Sequence, residues 1–205
     1  KYNMPQAKSS SKLTPWELTM KETLRKGVGV EAIKAFAAEA LSQPELLNTL
    51  LAALKGELSV DPFVLRKSAW VLHHVYLIDN RALLLKRDQL SDILDATTDV
   101  SVLRELLKIL ASPVWVDIES ESQRREMVAL GTDLLHDTSV PIALHYAAMQ
   151  LIGFRIQTKK ELDECLEAMQ YLGVELGVQN TAFLSCLQRT AVSFRQNFAR
   201  IKLPN

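Results

Sequence analysis

The chain has 205 residues, 48% hydrophobic and 23% charged, a composition that excludes wholesale disorder and allows one good-sized core. Its 24 Lys and Arg balance 24 Asp and Glu, so it lacks the overall cationic excess of a protein that binds a nucleic-acid backbone. Cys165 and Cys186 form neither a CxxC pair nor a disulfide framework, and both read as buried free thiols of a reducing compartment.

Residues 1–13 are polar and without periodicity, which predicts a flexible tail ahead of a single domain over 14–205. They lack the apolar stretch of a secretion signal, and no run approaches the ~20 apolar residues of a spanning helix, so a cytoplasmic location and no membrane contact are expected. Thr14-Pro15-Trp16-Glu17 is a capping box with proline at the first helical position, and Gly27-Val28-Gly29 closes the helix it opens. A second helix runs from about Val30 to Leu41. Pro44 and Glu45 open a third, with Leu46, Leu47, Leu50, Leu51 and Leu54 at helical spacing before Gly56. Asp61-Pro62 caps the next, and further pairs follow at roughly 85–96 with 100–111, 122–136 with 139–155, and 159–174 with 180–198. Between them, Ser112–Glu121 is an irregular connection whose Val and Trp115 are expected to fold back onto the helices.

A motif returns at a fixed interval. Asp61-Pro-Phe-Val-Leu-Arg66, Asp99-Val-Ser-Val-Leu-Arg104 and Asp137-Thr-Ser-Val-Pro-Ile142 start 38 residues apart. Such a period marks stacked units, each too small to bury its own apolar face. The fold class read from this is all-α: an α-α superhelix of about five antiparallel helix pairs. An Asp at the turn, a hydrophobic residue three on and an Arg two beyond it resemble HEAT repeats, in Asp61, Val64 and Arg66 and in Asp99, Val102 and Arg104. The third copy departs, with Ile142 in place of Arg. The resemblance covers 44–155 and, more faintly, 158–198, and within it Arg66–Leu72 and Val140–Leu144 resemble a small family of bacterial HEAT-like proteins. It implies a right-handed solenoid, in which Arg66 and Arg104 brace the Asp of a neighbouring unit in a ladder through Asp61, Asp99 and Asp137.

In such a stack the second helices line the concave face. Aligned on the 38-residue period, Trp70, Lys108 and Tyr146 fall in one column, flanked by Arg66, Lys67, Arg104 and Glu105 a turn earlier and by His74 and Gln150 a turn on. An aromatic, a lysine and an aromatic in a row suit a peptide, held by stacking and a few charged contacts. The basic pairs Lys86-Arg87, Arg124-Arg125 and Lys159-Lys160 stand at helix N-termini as a candidate anion site, although Asp88, Glu126 or Glu161 follows each at once and a solvated face is the plainer reading.

Catalytic and metal-binding patterns are absent from the sequence. His73 and His74 are adjacent, about 100° apart on a helix, and no His-x-x-x-His pattern occurs. His145 aligns with core positions. The expectation is a monomeric, non-enzymatic module without cofactor or metal that binds a protein or peptide. The alternative is a nucleic-acid binder like the HEAT-like DNA alkylation repair glycosylases, and an enzyme or enzyme subunit comes third.

Overall fold

The structure is a computed structural model that describes residues 14–25, 29–58, 60–177 and 180–202. The expected N-terminal tail and the Gly27-Val28 part of the first turn lie outside the described residues. Every regular element among those described is helical: α1 (Pro15–Arg25), α2 (Val30–Ser42), α3 (Pro44–Leu54), α4 (Pro62–Ile78), a 3-10 turn (Leu84–Lys86), α5 (Arg87–Ala96), α6 (Val100–Leu110), α7 (Pro113–Val116), α8 (Glu121–His136), α9 (Ile142–Ile152), α10 (Lys159–Glu175) and α11 (Thr181–Lys202).

Local chemistry explains the ends. The Asp61 carboxylate accepts from Val64 N–H at 3.0 Å, and Asp99 accepts from Ser101 and Val102 at 2.9 and 3.2 Å, each cap contributing about 1 kcal/mol. Thr14 with Glu17, Ser120 with Gln123 and Thr158 with Glu161 form reciprocal capping boxes. α3 ends at Gly56, whose φ of 78° needs a residue without a Cβ. α9 starts three residues later than the spacing predicts. Pro141 disfavours a helical Val140 before it and becomes the N-cap itself, so Asp137 closes on Ser139 N–H and hydroxyl instead of starting a helix.

Two sets of helix contacts organise the molecule. α2 packs on α4, α4 on α6 and α6 on α9, while α1 packs on α3, α3 on α5 and α8 on α10. Cross-contacts of α3 with α4, α8 with α9 and α10 with α11 join them. α1 also packs on α4. The core falls into two clusters, one running from Met20 to Leu151 and one from Val128 to Phe194, with α8 and α9 contributing to both.

The irregular connection is a structural joint. Trp115, on α7, is fully buried in the first cluster, and its indole N–H donates to Ile109 C=O at 2.7 Å. Glu119 follows it inward. Both its carboxylate oxygens accept from Arg155, at 2.7 and 2.9 Å, and Arg155 also donates to the carbonyls of Leu151 and Leu110. Arg87 completes the group at 3.4 Å from Glu119. Two buried guanidiniums around one carboxylate hold α5, α6, α9 and the connection together.

Candidate functional site

Trp70, Lys108 and Tyr146 stand on the adjoining helices α4, α6 and α9, each half-buried. Trp70 and Lys108 share a depression of about 400 Å³ with Arg66, Lys67, Arg104 and Glu105. Lys108 and Tyr146 share a second, of about 600 Å³, with Met149, Gln150 and Phe154 on one wall and α11 on the other. Lys108 belongs to both. The two depressions adjoin at Lys108, both open to solvent, and together form a trough bordered by α4, α6, α9 and α11.

The aromatic ends are anchored differently. Trp70 packs its inner face on the core, stands 5.9 Å from the His74 ring, and carries the Lys67 ammonium 4.5 Å above its centroid. The same ammonium lies 5.4 Å from the Phe63 ring. Tyr146 meets Phe183 of α11 edge-on at 5.5 Å, while the neighbouring His145 stacks on Phe183 at 5.8 Å. His145 is buried, with Nε2 3.0 Å from Asp137 C=O, and burial pushes its pKa down, as a packed core histidine requires.

Glu105 is the electrostatic centre. Its carboxylate is buried, yet it accepts from Lys108 Nζ at 3.1 and 3.2 Å and from Arg104 Nε at 3.0 Å, and it lies 2.8 Å from His73 Nδ1. Burial acts to raise its pKa, but the bonds from His73 and Lys108 outweigh burial and hold it at about 2. His74, beside it, is shifted down by burial and then by the charge of His73. Glu105 is therefore a positioning group that fixes Lys108 and Arg104 at the surface.

The ladder is partial. Arg66 reaches Asp99 at 2.8 Å, and Arg25 from α1 reaches Asp61 at 3.0 Å. Arg104 turns to Glu105 instead of Asp137, which is occupied by Ser139. The basic pairs have partners within the protein. Arg124, with 4% of its side chain exposed, binds Glu121, Glu161 and the Arg155 carbonyl, and Arg87 is buried against Glu119. Of the outer members, Arg125 pairs with Glu121, Lys159 with Asp163 and Lys160 with Glu164, while Lys86 donates to Asn48. Each positive charge already has a partner, and the solvated-face reading fails for Arg87 and Arg124 because burial makes them structural.

No protein-family model, curated protein or solved structure matches the chain. Its site is read from geometry alone. Among the described residues no group of three or more His, Cys, Asp or Glu is placed to hold a metal ion, and no helix is long and apolar enough to cross a membrane. Cys165 is buried 3.1 Å from the Thr132 hydroxyl, and burial raises its thiol pKa; Cys186 is half-buried on the trough wall.

The α11 wall lies outside the 38-residue column. Cys186, Arg189, Thr190, Ser193 and Asn197 line the trough there. A signal for it existed: Cys186, Thr190, Ser193 and Asn197 are three or four apart, one face of a helix with Arg189 beside it, and largely polar.

Proposed function

We propose that this chain is a non-enzymatic interaction module that binds a protein or peptide along the trough. In this reading its helices form about five antiparallel pairs of a right-handed HEAT-like superhelix, the trough lies on the concave side, and the protein works as a cytoplasmic monomer without a cofactor. The observation that carries the reading is that Lys108 lines both depressions, so an extended chain laid from Trp70 to Tyr146 passes from one to the other over its side chain. Half-buried aromatics fixed by their neighbours bind with little loss of side-chain freedom. An open trough suits an extended ligand better than a small substrate, which needs enclosure.

The test is selection from a phage-displayed library of random dodecapeptides, run in parallel on the wild type and on Trp70→Ala/Lys108→Glu/Tyr146→Ala, with circular dichroism confirming that both are folded. Peptides held by the wild type and at least tenfold weaker on the variant are expected. The same peptides on both proteins, or none on either, would remove the trough from consideration.

A second reading rests on the trough cations beside Trp70: binding of nucleic acid in the manner of the HEAT-like alkylation repair glycosylases. Retention on duplex DNA that falls steeply with salt would favour it.

A further inference from the structure

The chain has no net charge, but its charges are sorted by helix. α4 carries Arg66 and Lys67 and no acidic residue, α6 carries Arg104 and Lys108 with Glu105, and α11 carries Arg189, Arg195 and Arg200 with no acidic residue. The balancing negative charge sits on helices that do not line the trough. α5 has Asp88, Asp92 and Asp95 against Arg87, and α10 has five acidic residues against Lys159 and Lys160. Zero net charge therefore says nothing against an anionic ligand at the trough.

Within the trough the cations are held ready. Among the described residues the one carboxylate that lines it, Glu105, is buried beneath Lys108 and Arg104, whose side chains remain 35% and 39% exposed. Lys67 rests over Trp70, and Arg189 stands on the α11 wall. Among the described residues neither Lys67 nor Arg189 has a carboxylate at ion-pair distance. Beside these charges lie Tyr146, Met149 and the half-exposed Phe154.

From this charge complementarity we infer that the occupant is an acidic peptide segment in extended form, its carboxylates facing Lys67 and Arg189 and an apolar side chain resting on Tyr146 and Phe154. The inference depends on the trough being the binding surface and adds the chemistry of what it takes. A polynucleotide fits less well. Arg66 is already paired with Asp99, and Lys108 and Arg104 share Glu105, which leaves two unpaired cations for a ligand with a charge on every nucleotide. A second copy of the chain fits less well too, because the acidic residues of α10 sit on a helix and Asp163 and Glu164 are tied to Lys159 and Lys160.

The experiment sequences the dodecapeptides that the wild type retains and measures a labelled one by fluorescence anisotropy. Its comparators are the same peptide with Gln and Asn for Glu and Asp, a twelve-nucleotide polythymidine, and the Lys67→Glu/Arg189→Glu protein. Arg189 is exposed and Lys67 half-buried over Trp70, and thermal melting checks that the variant stays folded. Enrichment in Asp and Glu is expected, with about tenfold weaker binding of the neutralised peptide, a similar loss on the charge-reversed protein, and weakening by salt. Retained peptides that depend on Trp70 and Tyr146 but are neutral or basic would overturn the acidic preference and leave the trough intact. Polythymidine bound more tightly than the acidic peptide would overturn it in favour of a nucleic acid. A library that yields nothing would end both readings.

Discussion

Glu105 holds its charge under a layer of cations, and that placement makes stability depend on pH. Its folded-state pKa of about 2 lies below the ~4.3 of an unfolded glutamate. The stabilisation is therefore complete above about pH 5 and is lost as pH falls through 4 toward 2. Glu105→Gln should cost about 2–3 kcal/mol at pH 7 in urea denaturation, with the difference shrinking to about half by pH 3. An equal loss at both pH values would mean that shape, and not charge, is what Glu105 supplies. Nothing in the sequence marked this residue as buried. It sits between Arg104 and Leu106 on a helix whose pattern turns Lys108 outward, and His73 reaches it from another helix. Arg87 and Arg124 were hidden for the same reason: a local pattern identifies a charged residue, but the partner that lets it be buried lies some thirty residues away.

Helix boundaries were far more legible, because caps and prolines act within a few residues. Thr14, Asp61, Asp99 and Thr158 each mark a start that the structure places within a residue of expectation. The 3-10 turn and α7 were not legible, since three or four residues are too few to display a period. Packing between helices adds a constraint at Gly131 of α8, where an added Cβ would collide with the Ile152 side chain and reach 3.4 Å from Ala148 C=O. Alanine is a better helix former by ~1 kcal/mol, but here the Ile152 side chain or α9 itself would have to shift. Gly131→Ala should lower stability by about 1–3 kcal/mol in chemical denaturation. A midpoint equal to or above the wild type would show that α8 and α9 can separate freely.

At the scale of the molecule, two core clusters meet across α8 and α9, and the buried Glu119 joint ties the connection before α8 to the end of α9. Removing the carboxylate leaves Arg155 and Arg87 charged and buried. Glu119→Ala should cost about 3–5 kcal/mol, and hydrogen exchange should accelerate more in α10 and α11 than in α3 and α4. Uniform acceleration would mean that the clusters unfold as one. The 38-residue spacing led directly to the column that lines the trough, because equivalent helix positions project alike; the fourth wall, α11, falls outside that spacing and so outside that argument.

The sorting of charge by helix has a further consequence. A uniform field exerts no net pull on a neutral body, yet it exerts a torque on one whose positive and negative charges are displaced from each other. Close to the trough an anion meets the local charges of α4, α6 and α11, not the net charge of the chain. The isoelectric point of about 7.1 averages over helices of unlike charge and describes none of them.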